Sequence, residues 1–419
     1  MGVTCYFLLS AMMCDEVVAA AVPAIKESAD LDSSQVGLLY SSSFVPSLTF
    51  VVLGGLLHHK IGVRALSIFS SLSVVVGMVV FAMSTTFWGM IAGRVLFGLG
   101  LGPTELVNDM IALRWFDNES SPSIEIAFGL IGSFGMLGFV LAFNLIPSLL
   151  NLFSHMANAE ALRMAVLCLS IIPAVTVVIN IYYIVLDWYA EPILELDLVQ
   201  DDEEPSILES VKQLPLSYWL LFTINASSFA LMYVIMLYSV DFMVEKWKYD
   251  DVTAGRYSSG VYIAGIILSP LTGVMIHKFG KMITIIFLGL VLFGVGCLLL
   301  GITAWPPLIG LLCIGIGLAM LETTVWTAVA EVVPEISFGP AYAFLSAAVS
   351  IVLVVVPYLA GYLHDIYNSY EPVALLCSGG AIIGSICCLI LYFLAPDLQN
   401  PSDKYKLYYV VKIVSRKKH

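Results

Sequence analysis

Six ionisable side chains stand inside apolar runs, where a charge is costly and is kept for a reason. Asp15 and Glu16 interrupt the run 4–25; Arg94, Glu105 and Asp109 lie in the run 88–113; Glu322 lies in the run 307–330. Side chains of this kind line a wet path, hold a charged ligand or carry a proton. Glu105 and Asp109 are four residues apart, so they share one face of a helix. Gly98, Gly100 and Gly102 precede them and Pro103 follows, a run that permits close helix packing and a bend beside the carboxylates. GLGLGPTE at Gly98–Glu105 has a counterpart, GIGLAMLE at Gly315–Glu322, 217 residues further on. If the two segments are copies, Glu105 and Glu322 face each other across a pseudo-two-fold axis and can hold a proton or the amino group of a solute. The substrate-binding or proton-coupling set is therefore Asp15, Arg94, Glu105, Asn225 and Glu322, with Glu16 and Asp109 behind them. Arg94 reads equally well as a strut that pairs with a carboxylate, and Asp109 as a residue of the helix end. Asn225, Ser227, Ser228, Tyr233 and Tyr238 offer hydrogen bonds from one later run, either to a ligand or to neighbouring helices. Gly129, Gly132, Gly135 and Gly138 form a small-residue stripe, read as a helix–helix contact.

The elements that must position these residues follow from composition. The chain has 419 residues, of which 60% are hydrophobic and 12% charged, with a mean hydropathy of +0.96. A soluble chain carries about a quarter charged residues, so this is a polytopic membrane protein. Its net charge of −13 is local, because much of it sits in one loop. The eight cysteines fall in apolar runs with no zinc-site spacing and read as packing residues. No HExxH and no Gly-x-Ser-x-Gly occurs, so neither an enzyme, a metal nor a cofactor is expected, and nothing suggests a nucleic-acid partner. The stretch from Thr4 to Ile25 is long enough to span, and it reads as a first crossing rather than a cleaved signal, so a leader would be very short or missing.

Runs of about 20 apolar residues predict twelve helices. Helices 1 to 6 fall near 4–25, 35–57, 65–84, 88–113, 124–149 and 162–186; helices 7 to 12 fall near 217–241, 255–276, 282–303, 307–330, 338–363 and 372–395. The expected fold is all-α: an N-terminal six-helix bundle at 1–186, an acidic cytosolic linker at 187–217, a C-terminal six-helix bundle at 218–396 and a basic cytosolic tail at 397–419. The basic tail, together with an even helix number, puts both termini in the cytosol. GLLHHKIGVR at Gly55–Arg64 and GVMIHKFGKM at Gly273–Met282 recur at an offset of 218, so the halves are repeats.

These decapeptides resemble the loop between helices 2 and 3 of the major facilitator superfamily, Gly-x-x-x-Asp-Arg-x-Gly-Arg-Arg, with its weaker copy between helices 8 and 9. The chain keeps Gly55, Lys60, Gly62 and Arg64, then Gly273, Lys278 and Gly280, but has His59 and His277 where that family has an acid. The resemblance implies a gating role for these nine residues and a cavity lined by helices 1, 4, 7 and 10, with helices 3, 6, 9 and 12 facing lipid. A neutral histidine can accept the bond the acid would accept, whereas a protonated one cannot, and its ordinary pKa is about 6.5. The two loops are therefore expected to form a cytosolic latch lost on acidification. Neither has a second ligand at metal spacing.

Within the superfamily the chain is similar to the domain-containing family whose lysosomal members export dipeptides. The matching pieces are GRVLFGLG with RWF beyond it, LPLSYWLLF, HKFGK, WTAVAEVVPE and GPAYAF, and Asp15 matches an aspartate of helix 1. That resemblance implies a transporter of small organic solutes working by alternating access, with dipeptides or amino acids leaving lysosome-like organelles, or with the plasma membrane as the alternative site. It also points to a lumenal accessory subunit or homo-oligomer beside the lipid bilayer and the solute. The family's acid of helix 4 and arginine of helix 5 align with Gly102 and Met136, so the architecture carries over more directly than the substrate. Glu105, one turn on, stands in for the acid. The competing readings are a transporter-fold sensor or scaffold and a carrier of another solute such as an organic anion. Downhill transport and proton coupling are both open.

Overall fold

The computed structural model describes residues 2–49, 62–116, 124–194, 214–333, 338–395 and 398. These residues are helical with short turns and contain no strand. That form suits hydrocarbon, because a helix satisfies its own backbone. Ten helices among the described residues are long and apolar enough to cross a membrane. Two further crossings come in pieces, which gives the twelve spans expected. Span 1 is Gly2–Asp15, Val17–Ala20 and Val22–Ala29; span 2 begins with Ser33–Ser41. Spans 3 to 5 are Val63–Met83, Phe87–Phe116 and Ile124–Leu152; span 6 is Asn158–Leu169 with Ile171–Leu194. Span 7 is built from Leu216–Ile224, a wider π turn at Asn225–Phe229, Ala230–Leu237 and Ser239–Trp247. Spans 8 to 12 are Asp251–Phe279, Met282–Ile302, Pro307–Val332, Phe338–Tyr367 and Glu371–Leu394.

Spans 3, 6, 9 and 12 expose large apolar side chains, as do spans 8 and 11. Val178 is 66% exposed, Ile302 68% and Phe393 81%, values that water would penalise and lipid does not. The glycine stripe of span 5 meets span 1, as its spacing suggests: a Cβ on Gly138 would stand 2.4 Å from the Leu9 carbonyl oxygen.

The repeat is visible in the breaks of the helices. Span 1 is interrupted at Glu16 and again at Ala21, and span 7 at Tyr238, 217 residues after Ala21. The Gly62 and Gly280 turns, 218 apart, both have positive φ, at 75° and 66°, which an L side chain would resist. These are the second glycines of the two decapeptides. Gly55, His59 and Lys60 lie outside the described residues. Gly273 lies inside span 8, His277 in its last turn, and the exposed Lys278 has its Nζ 5.3 Å from the Phe279 ring centroid. The latch expected of the two histidines therefore rests on sequence alone.

One boundary differs from expectation. The sequence puts the linker from Asp187, but span 6 runs on to Leu194 and Asp187 is 1% exposed. The reason is a partner: Arg64 Nε donates to Asp187 Oδ2 at 2.6 Å, and Trp115 Nε1 donates to Oδ1 at 3.3 Å. A carboxylate that reads as solvated linker is instead the strut tying the start of span 3 to span 6.

The two halves meet tightly on the face opposite the chain termini. A Cβ on Gly37 would stand 2.2 Å from the Pro357 oxygen, and one on Gly361 2.1 Å from the Ser33 oxygen, so spans 2 and 11 touch backbone to backbone. Gly255, 218 residues after Gly37, makes the equivalent contact of span 8 with span 5, 2.2 Å from the Phe143 oxygen. Polar groups lock the first of these seams. Asp365 accepts the Ser33 and Ser34 N–H groups at 3.0 and 2.9 Å, closing the open end of span 2 with a negative charge. His364 Nε2 contacts Glu245 Oε2 at 2.9 Å while its Nδ1 lies 2.8 Å from Ser33 Oγ, a pairing that suits Nε2–H donating and Nδ1 accepting. Lys26 Nζ reaches Asp241 at 2.9 Å, and Asp241 also accepts from the Tyr370 hydroxyl.

Candidate functional site

Between the halves lies a cavity of about 140 Å³. Spans 1 and 4 supply Asp15, Gly102 and Glu105; spans 7 and 10 supply Tyr233 and Trp326. Ser47 of the second crossing and Ser346 and Ser350 of span 11 add hydroxyls, and Phe44 and Phe139 add aromatic wall. Since the seams are closed on the opposite face and Glu105 is exposed within the cavity, solvent reaches it from the side that carries the termini.

Asp15 and Arg94 form a buried ion pair. Arg94 Nη2 reaches Asp15 Oδ1 at 3.0 Å and Ser43 Oγ at 2.9 Å, while Nη1 reaches the Cys14 oxygen at 3.4 Å. The guanidinium lies 4.7 Å from the Phe97 ring centroid, and Arg94 is 1% exposed. It is thus occupied by spans 1 and 2 and does not line the cavity. The strut reading of this residue fits its surroundings.

Glu105 lines the cavity, as its repeat position suggests. Glu322 stands one turn from Trp326 in span 10, and its Oε2 is buried with no hydrogen-bond partner among the described residues. Glu322 does not line the cavity, whereas Glu105 and Tyr233 do. Asn225 does not reach the cavity. It is 1% exposed and donates from Nδ2 to the Leu345 oxygen at 3.2 Å, a bond that holds the π turn of span 7 to span 11. Ser227 and Ser228 face span 12, where Gly380 and Gly384 let them approach. Tyr238 serves the seam, its hydroxyl lying 3.0 Å from the Ser33 oxygen and 2.9 Å from that of Pro357. Asp109 lies within span 4.

Met136, at the position aligned with an arginine in the dipeptide exporters, is 8% exposed and packs its sulfur against Gly265 of span 8. Among the described residues that line it, the cavity has carboxylates, hydroxyls and aromatic rings, and no lysine, arginine or histidine. Such a lining favours an amine or other cation over an anion.

Glu16, expected only behind the main set, is fully buried. It is 0% exposed and accepts a hydrogen bond at Oε1 from Tyr262 of span 8 at 3.2 Å. A usable signal was present: the offset of 217 that pairs Glu105 with Glu322 also pairs Glu16 with Tyr233. The seam residues Asp241, His364, Asp365 and Tyr370 were also missed. They cluster at the ends of charge-poor runs, where loop charge and functional charge look alike.

Comparison with known proteins gives a consistent picture. The family profile described as Major Facilitator Superfamily matches residues 4–336 and 220–408. The chain is 26% identical to the lysosomal dipeptide transporter MFSD1 of Mus musculus over 404 residues, covering 93% of this chain and 85% of that protein. It is 26% identical to the Danio rerio protein of the same name, over 96% of this chain and 86% of that one. Among solved structures it resembles the nucleoside transporter NupG, with a TM-score of 0.70 at 13% identity over 94% of this chain and 99% of that one. It also resembles a POT family transporter in complex with 5-aminolevulinic acid, with a TM-score of 0.71 at 10% identity, over 95% of this chain and 97% of that one.

Proposed function

The chain belongs to the Major Facilitator Superfamily, a family of membrane transporters, and we propose that it carries dipeptides or similar small amine-bearing solutes out of a lysosome-like organelle by alternating access. The observation that carries this reading is the cavity between the halves, lined by Glu105 and aromatic rings without a basic side chain among its described residues, beneath a seam closed on the opposite face. Glu105 receives the solute's amino group. Tyr233 and Trp326 add aromatic rings to the same lining, and ring faces attract cations. Ser47, Ser346 and Ser350 meet the solute's polar remainder through hydroxyls rather than a guanidinium. Rocking of the two bundles about this site then exposes it to either side in turn. Similarity to the lysosomal dipeptide transporters supports the solute class and the compartment, and a lumenal accessory subunit or a homo-oligomer belongs to the same reading.

Uptake of a labelled panel of dipeptides, amino acids and amines into proteoliposomes tests it. Wild type moves at least one amine-bearing compound. Glu105→Gln, which keeps shape and loses charge, reduces that flux by about tenfold or more, in line with loss of one charge-assisted contact of roughly 1.5–3 kcal/mol. Binding without flux for every compound would instead make the protein a sensor or scaffold, and selective flux of anions would overturn the charge argument.

A further inference from the structure

The polar groups around the cavity offer far more to one end of an amino acid than to the other. The acids among its described lining residues are Asp15 and Glu105. Asp15 Oδ1 is met by Arg94 Nη2 at 3.0 Å, and that guanidinium is 1% exposed and stays out of the lining. Glu105 is exposed within the cavity. The serine hydroxyls point their protons away. Ser47 Oγ donates to the Ser43 and Gly98 carbonyl oxygens, each at 3.0 Å, and Ser350 Oγ donates to that of Ser346 at 3.2 Å. A hydroxyl has one proton, so these two offer a ligand lone pairs rather than a donor. The other side-chain donors of the described lining are the hydroxyls of Ser346 and Tyr233 and the indole N–H of Trp326, all of them neutral.

An ammonium carries donors only and a carboxylate acceptors only. The ammonium finds a carboxylate, lone pairs and ring faces here; the carboxylate finds a like charge and serine oxygens that have already given up their protons. A carboxamide differs from a carboxylate by one neutral N–H₂ group, which can donate to those same lone pairs. Size adds to the contrast. A cavity of about 140 Å³ is close to one that admits a benzene ring, so an α-amino acid bound in it keeps both of its ends within the walls. We infer that the site selects against a free carboxylate close to the solute's ammonium: amines and amino-acid amides are its preferred solutes, and free α-amino acids are rejected. Dipeptides fall between the two, because their carboxylate lies one residue further from the ammonium, about 3.5 Å. This inference rests on the amine-carrying reading above and narrows its solute class by the group at the other end of the molecule.

Matched pairs of labelled solutes test this with the full chain in proteoliposomes: leucinamide against leucine, and alanyl-alanine amide against alanyl-alanine. All are run at about pH 6, where α-amino groups are protonated, and flux into protein-free liposomes is subtracted. Leucinamide should move about tenfold or more faster than leucine, as a like charge a few Å from Glu105 requires, and the dipeptide pair should differ by about two- to fivefold in the same direction. Ser350→Lys puts a cation into the lining and should cut the leucinamide-to-leucine ratio by about tenfold. Ser346→Lys makes the same change from the neighbouring turn of span 11 and serves if the first variant does not fold. Leucine carried as fast as leucinamide, or a ratio unchanged in the folded lysine variant, overturns this inference and leaves amine transport through Glu105 standing. No flux of any amine-bearing compound overturns the amine reading itself, and this inference with it.

Discussion

Asp15 and Arg94 differ from the other intramembrane charges in having found each other, and that difference is itself a prediction. Removing one partner of a buried pair strands the other and typically costs about 3–5 kcal/mol, whereas replacing both with uncharged groups is often close to neutral. Arg94→Met should therefore lower the melting temperature of the purified protein markedly, and adding Asp15→Asn should recover most of the loss. Thermal unfolding in detergent measures both. If the double variant is no better than the single one, the pair is not what holds spans 1 and 4 together, and Arg94 acts through Ser43 and the Cys14 carbonyl instead. The sequence made these residues conspicuous because any charge in a long apolar run is conspicuous. It could not sort them, because whether a carboxylate meets a guanidinium, a tyrosine or a cavity depends on helices that are far apart in the chain. Asn225 shows the same limit. It looked like a ligand contact, but its amide is needed by the Leu345 carbonyl beside a π turn that hydropathy does not register.

At the scale of elements, the spans were the legible part, since each is a run long enough to cross a bilayer and each must satisfy its own backbone. The interruptions at Glu16, Ala21 and Tyr238 were not legible, because the sequence around them stays apolar through the break. The repeat did foretell where close contacts recur. Gly37 and Gly255 occupy equivalent places and hold equivalent backbone-to-backbone contacts, span 2 on span 11 and span 8 on span 5. A methyl group at Gly255 would have to displace the Phe143 backbone, and overpacking of this kind costs about 1–3 kcal/mol. Because the strain exists only when the seam is closed, Gly255→Ala should shift the conformers towards the state open on that face rather than unfold the protein. A cysteine at Ser47 in the cavity should then react with an impermeant maleimide from that face about 5- to 150-fold faster. Unchanged labelling with an unchanged melting temperature would mean that the seam does not open by separating spans 5 and 8.

For the whole molecule, the closed face is held by one half's helix start and the other half's acid. Asp365, from the end of span 11, takes the N–H groups of both Ser33 and Ser34 at the start of span 2, where the helix dipole also favours negative charge. Neighbouring contacts add directionality: the Tyr238 hydroxyl reaches both halves through the Ser33 and Pro357 carbonyls, and Lys26 crosses to Asp241. These groups belong to loops and helix ends, where sequence cannot separate a latch from ordinary solvated charge. The two bundles share a closed face here and an open cavity beyond it, so a bond on this face acts as a bias on the equilibrium between the two access states. Asp365→Asn keeps one acceptor oxygen and removes the charge. The loss of one charge-assisted bond, roughly 1.5–3 kcal/mol in favour of the closed state, should lower the ratio of closed to open conformers by about 10- to 150-fold. The distance between spin labels at Ala159 and Ala304 reads that ratio directly. An unchanged distance distribution would mean that the glycine contacts alone close the face. A shift confined to this variant, with transport slowed in the step that returns the empty carrier, would make Asp365 the latch that sets how long the cavity faces the terminus side.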